Sequence, residues 1–298
     1  MIDDALSLGV GGFVIRGGRD DEVRDLTADL RRRSSGPLLV AADLEDDALQ
    51  PLRAAIDLPS LAALGRMGDV DAVRRAARLT ATAARRVGVN WILAPVCDLD
   101  PRDRSRTGAR AFGDDPAVAA ELAAEWIDAC QSHGVLACAK HFPGRTRTAT
   151  SSAPGAQVVA ASTDVIFAVD LVPFRAAIDA GVASIMAAAV AYPELDPAGA
   201  PATLSRAILR DILRTQLGFE GLVVSDKLAS GDMRRSEGDD IAVDALAAGC
   251  DLLIEPSDAS LATRAVEGAM KSRRLDGERL RESTQRLRRW ADWAAVPR

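Results

Sequence analysis

Charged side chains collect at the ends of apolar runs in this chain. Asp43 and Glu45 follow PLLVAA, Asp98 follows ILAPVC, Lys140 and His141 follow VLACA, Asp226 follows GLVVS, and Glu255 follows DLLI. A carboxylate in such a place serves as a nucleophile or as a proton donor or acceptor, while lysine, arginine and histidine donate hydrogen bonds to hydroxyl oxygens. Any one strand-end aspartate has a plainer role, capping a helix or satisfying loop backbone. Gathered at one mouth, these ends make a polar cavity suited to a small, hydroxyl-rich ligand such as a sugar.

That gathering requires parallel strands. Short runs rich in β-branched and aliphatic residues occupy 12–15, 37–42, 91–96, 135–139, 183–188, 221–224 and 250–254, and longer segments of helical periodicity occupy 20–33, 69–87, 115–133, 169–180, 204–217 and 239–248. Alternation of this kind predicts βα units around a parallel sheet. The fold expected is an α/β, TIM-like (β/α)8 barrel, one domain over 1–298, with its working face at the carboxyl ends of the strands. The runs fall one short of the usual eight, and residues 1–10 are too few for a strand and its helix, so the barrel is expected to be open or irregular at its first strand. Segment 144–162, GRTRTATSSAPGAQVVAAS, reads as a long loop directly after a strand. After Asp258 two helical segments follow, the last of them, LDGERLRESTQRLRRWADWAA, reading as a cap on the barrel.

With 48% hydrophobic and 27% charged residues in 298, the composition is that of a globular enzyme. A net charge of -6 offers no basic stripe for phosphates, which argues against a nucleic-acid partner. The start, MIDDALSLGVGGFVIRGG, lacks the basic region and continuous apolar stretch of a signal peptide, and no apolar run reaches the length of a membrane span, so a cytoplasmic location with no membrane contact is expected. Cys97, Cys130, Cys138 and Cys250 are widely spaced, and His133 and His141 are the only imidazoles, which reads as reduced core thiols with no zinc site and no cofactor.

The segments KHFPG at 140–144, APVCDLDP at 94–101, RAFGDDP at 110–116, LPS at 58–60, PATLS at 201–205 and LGFEGLVVSD at 217–226 resemble the successive signatures of the β-N-acetylglucosaminidases of glycoside hydrolase family 3. KHFPG followed in order by GLVVSD is highly specific, and the resemblance runs from about Gly11 to the final helix. It implies an N-terminal barrel domain alone and a retaining mechanism on a β-glycoside. It also implies Asp226 as the nucleophile that forms a covalent glycosyl-enzyme. Asp43, Arg110, Lys140 and His141 match positions that hold the hydroxyls of the terminal sugar, with Asp98 and Glu45 orienting their neighbours.

Departures from the pattern are concentrated near the chemistry. Where the family has His-Gly and then Asp-Ser-His, whose histidine is the acid/base, this chain has Arg145-Thr146 and then Ser151-Ser152-Ala153. The D-x-E-G-G-R segment is here Asp43-Leu44-Glu45-Asp46-Asp47-Ala48, a histidine expected after the sixth strand is Ala189, and the residue after the nucleophile is Lys227. Proton transfer by such a dyad contributes about 10²- to 10⁴-fold. Three readings follow: a β-glycosidase in which another group, with Glu255 the best placed, supplies the acid, or whose substrate carries a leaving group that needs no protonation; a pseudoenzyme that binds a sugar or a protein; or a repurposed glycosyl-transfer enzyme. The ligand expected is a small carbohydrate or glycoside, and an incomplete first strand leaves an edge that a second subunit could cover.

Overall fold

Apolar runs form parallel strands whose order in space follows their order in the chain. The computed structural model describes residues 2–45, 59–99, 110–148, 157–229 and 240–296. Its strands are β1 (Gly12–Ile15), β2 (Leu39–Ala42), β3 (Trp91–Ile92), β4 (Cys138–Phe142), β5 (Gln157–Val158), β6 (Ser184–Ala187), β7 (Val190–Ala191), β8 (Leu222–Lys227) and β9 (Leu252–Ile254). One parallel sheet runs β1-β2-β3 and another β4-β6-β8-β9. Parallel bridges Trp91 to Leu136 and Val96 to Lys140 join β3 to β4, so both sheets form one continuous wall. Helices such as Asp20–Arg33, Val70–Arg86 and Pro116–Ser132 return the chain from strand to strand. Asp69 and Asp115 cap the second and third of these through their own carboxylates.

The wall is that of a TIM-like α/β barrel, and its irregularity lies where the run count put it. A helix, Ile2–Ser7, precedes β1, and among the described residues no ladder joins β9 to β1. The side chains of Arg16 and Glu255 meet across this seam.

Several boundaries differ from those expected. Lys140 and His141 lie within β4, and Asp226 lies within β8, rather than just past them. Segment 144–162 is not all loop, because β5 pairs with β7, just beyond β6. The helix expected to begin at 169 begins earlier, with Thr163–Val165. A short helix, Leu61–Met67, capped by the Ser60 hydroxyl, also escaped the periodicity. Leu58, Pro101 and Asp239 lie outside the described residues.

Two apolar layers hold the barrel. The larger lies between strands and helices and includes Phe142, Ile166, Phe174 and Tyr192. The smaller fills the barrel, where Leu39, Trp91, Leu136 and Leu222 meet Leu287, Trp290 and Ala291 of helix Gly277–Ala295. Those strand residues lie at or just before the amino ends of their strands, so this helix caps the amino mouth. Asp251 fastens it, accepting from Arg279 Nη1 at 3.1 Å, Ser283 Oγ at 2.7 Å and the Val223 amide at 2.9 Å. The four cysteines are unpaired and buried, and burial pushes the Cys138 thiol up to about 12. Among the described residues no helix is long and apolar enough to cross a membrane. With the amino mouth capped, the carboxyl ends form the face open to a ligand.

Candidate active site

Both strands that carry the signature residues contain one residue more than their neighbours. Lys140 pairs with Met186 and Phe142 with Ala187, so His141 is extra. Val224 pairs with Leu252 and Lys227 with Ile254, which leaves three steps on β8 against two on β9. The Ile254 amide there donates to Ser225 Oγ at 2.8 Å. A bulge re-aims side chains that strict alternation would send to opposite faces. His141 can thus stand beside Lys140, and Lys227 beside Asp226, at one mouth.

Lys140 is the hub of the first cluster. Its Nζ lies 2.8 Å from Asp43 Oδ1 and 2.8 Å from Glu45 Oε2, while Arg110 Nη1 lies 2.9 Å from Glu45 Oε1. Burial works against the Lys140 charge, but Glu45 and Asp43 outweigh it and raise its proton affinity above the ordinary value. Burial also opposes ionisation of Asp43, and Lys140 outweighs it, with Lys227 and Arg16 adding to the effect; its carboxyl ends below the usual range. The cluster is therefore a fixed set of charges, with Asp43 and Arg110 half-buried at its open side. Gly65, on helix Leu61–Met67, lets that helix approach Phe112, since a Cβ there would sit 1.5 Å from the Phe112 carbonyl oxygen. That contact braces the strand-following segment that carries Arg110.

Asp98 organises the second cluster. Its Oδ2 lies 2.8 Å from His141 Nδ1, and its Oδ1 accepts from the His141 amide at 3.3 Å and the Arg145 amide at 3.0 Å. Burial alone would push its carboxyl up, but His141 and Arg145 hold it well below the carboxylate range. Burial and then the Arg145 charge lower the proton affinity of His141, against the opposing pull of Asp98 and Asp226. The imidazole is thereby neutral near pH 7, with Nδ1–H donated to Asp98 and Nε2 left as an acceptor. Tyr192, fully buried, donates its hydroxyl to the Gly144 carbonyl at 3.0 Å.

Asp226 stands half-buried near the end of β8. The Lys227 amide donates to its Oδ1 at 2.8 Å, and its own amide donates to Thr203 Oγ1 at 3.4 Å. Glu255 adopts φ 47, in the left-handed region, and its carboxylate meets Arg16. Among the described residues no three His, Cys, Asp or Glu side chains are grouped to hold a metal ion.

Comparison with known proteins agrees with this architecture. The model of the glycosyl hydrolase family 3 N-terminal domain matches residues 6–290. This chain belongs to that family. A β-N-acetylglucosaminidase/β-glucosidase of Cellulomonas fimi is 35% identical over 258 residues, which is 83% of this chain and 46% of that protein. A β-hexosaminidase of Nitrosomonas eutropha is 36% identical over 242 residues, 78% of this chain and 69% of that one. The structure of a family 3 β-N-acetylglucosaminidase from Paenibacillus sp. superposes with a TM-score of 0.91 at 31% identity, covering 98% of this chain and 59% of its own. The chain thus spans about half of the Cellulomonas protein and three-fifths of the Paenibacillus one.

Within this family 3 barrel the expected residues fall into two groups. Asp43, Arg110 and Lys140 are joined through Glu45, and His141 is close enough to Asp226 to feel its charge. Glu255 is paired with Arg16, whose charge also reaches Asp43. Sequence reasoning did not single out Tyr192, Thr203 or Arg16. Thr203 lies inside the PATLS signature and was legible there; Tyr192 and Arg16 carry no local signal. Asp46, Asp47, Ala48, Ser151, Ser152 and Ala153, where the family pattern is broken, lie outside the described residues.

Proposed function

We propose that this chain is the barrel of a retaining glycosidase acting on β-N-acetylglucosaminide-like substrates, with Asp226 as nucleophile. The observation that carries this is the position of Asp226: on the bulged end of β8, oriented by the Lys227 amide, beside a dense set of hydrogen-bonding groups. The names of the relatives point to the same substrate class.

An Asp226 oxygen attacks the anomeric carbon as the bond to the leaving oxygen breaks, giving a glycosyl ester. Water then attacks the same carbon, its proton passes to solvent, and the Asp226 carboxylate is released. Asp43 accepts from sugar hydroxyls, Lys140 and Arg110 donate to them, and His141 Nε2 accepts from one. Glu45 and Asp98 hold these groups in place. Such positioning is a large part of the work of an enzyme of this kind.

The test is stereochemical. Nuclear magnetic resonance of an aryl β-N-acetylglucosaminide digest should show the β-anomer as the first sugar released, with Asp226→Ala inactive. An α-anomer formed first would overturn the double displacement.

A further inference from the structure

The turn after β4 holds the backbone of a charged residue, Arg145, with unusual firmness. The Gly144 amide donates to the His141 carbonyl at 2.8 Å, and the Thr148 amide to the Arg145 carbonyl at 3.2 Å. The Arg145 amide is bound by Asp98 and the Gly144 carbonyl by Tyr192. Gly144 itself has φ 106, and a Cβ there would stand 3.2 Å from Asp170 Cβ. The Arg145 backbone is thus pinned from several sides.

Its side chain is not. Arg145 Nε reaches Asp98 Oδ2 only at 3.4 Å, and this buried nitrogen lacks a hydrogen-bond partner. Among the described residues the guanidinium makes no hydrogen bond at all, and its side chain keeps 23% exposure. Arg145 Nε at 3.4 Å and His141 Nδ1 at 2.8 Å face the same oxygen, Asp98 Oδ2, which sets the guanidinium beside the imidazole. Neither neighbour is a ready proton donor near neutrality, since Asp98 is held ionised and His141 neutral. An arginine is a permanent cation with several donors in a fixed fork, suited to an oxyanion and unsuited to giving up a proton.

We propose that Arg145 stabilises the departing oxygen of the substrate as an anion, so that this site cleaves β-glycosides whose leaving group is a weakly basic oxyanion: a phenolate, carboxylate or phosphate. This rests on Asp226 being the nucleophile. As the Asp226 oxygen bonds to the anomeric carbon, the electron pair of the breaking bond goes to the leaving oxygen, which departs unprotonated against the guanidinium. Water then displaces Asp226 as before. Arg145 thereby does electrostatically what a proton donor does by transfer.

The experiment is a series of aryl β-N-acetylglucosaminides with leaving-group pKa from about 4 to about 10, together with the β-1-phosphate of the same sugar, assayed on wild type, Arg145→Gln and Arg145→Lys. The wild-type kcat/KM should fall steeply with leaving-group pKa and stay flat from about pH 7 to 9, above the range in which His141 takes up a proton. Arg145→Gln should lose about 10²-fold, the order seen when one oxyanion donor is removed, and Arg145→Lys should recover most of it. Turnover of the 1-phosphate would mark phosphate as the leaving group, and turnover of aryl substrates alone would mark an organic oxyanion. Wild-type rates in Arg145→Gln, or a shallow leaving-group dependence with a basic limb in the pH profile, would overturn the role of Arg145 while leaving Asp226 standing. Failure of wild type to take up sugar from an activated fluorinated donor would overturn both.

Discussion

Lys140 Nζ lies 2.8 Å from Glu45 Oε2, with 3% of the lysine side chain and 1% of the glutamate's exposed. Removing one member leaves the other with a single buried partner, Asp43 for Lys140 or Arg110 for Glu45, and so removes part of the compensation for a buried charge. Glu45→Ala should therefore lower the denaturant midpoint strongly, and Glu45→Gln combined with Lys140→Met should cost less than the sum of the two single changes. Additive costs in the double-mutant cycle would show that the pair is not coupled.

Acid should destabilise the fold in two stages. The folded proton affinity of His141 lies below its ordinary 6.5, so the native state binds fewer protons than the unfolded chain below that pH. The stability so linked is complete above pH 6.5 and lost as pH falls through the folded value. Asp98 and Asp43, depressed below 3.8, hold stability above that pH and lose it further down. Lys140 has the opposite sign: raised above 10.5, it contributes below that pH and loses its share as pH rises through the folded value. Denaturation midpoints between pH 4 and 7 should flatten in His141→Gln, and also in Arg145→Gln, which removes a charge that depresses the imidazole. An unaltered slope in His141→Gln would contradict the assignment.

Most of the wall was legible because buried parallel strands are continuous apolar runs, and those at 12–15, 37–42, 183–188 and 250–254 fell on β1, β2, β6 and β9. The ends of β4 and β8 were misread for a physical reason: apolarity stops at Ala139 and Val224, yet backbone pairing resumes at Phe142 and Lys227, beyond the bulges that hold His141 and Asp226. A bulge leaves no mark in hydrophobic pattern. Asp43, Lys140 and Asp226 were visible because charge at the end of an apolar run is conspicuous. Tyr192 and Arg16 were not, since they reach the site through tertiary packing from segments that look ordinary.

The Tyr192 hydroxyl makes a specific structural claim, because it satisfies a buried carbonyl. Tyr192→Phe should cost about 1–3 kcal/mol by leaving the Gly144 oxygen unpaired. It should also lower kcat/KM about tenfold by loosening the turn that presents Arg145, within the range that small displacements produce. Thermal unfolding and steady-state kinetics check both, and full stability with full activity would remove Tyr192 from the account.

Gly144→Ala combines a left-handed backbone with a close approach to Asp170, and should cost about 1–3 kcal/mol. Retention of wild-type stability would mean that this turn relaxes freely.

Glu255 meets Arg16 at the seam, and that ion pair engages its carboxylate away from the Asp98 and Arg145 contacts. Glu255→Gln should change turnover of aryl substrates less than about threefold, against about 10²-fold for Arg145→Gln. A loss in Glu255→Gln matching that of Arg145→Gln would return Glu255 to the mechanism as its proton donor.

The most direct test of the central claim is the intact mass of the protein after incubation with an activated fluorinated N-acetylglucosaminyl donor, which supplies its own leaving group. A mass gain of one sugar, absent in Asp226→Ala, is the predicted result. No gain in a wild-type protein that is folded and stabilised by the sugar would contradict it, and would make this barrel a carbohydrate-binding module.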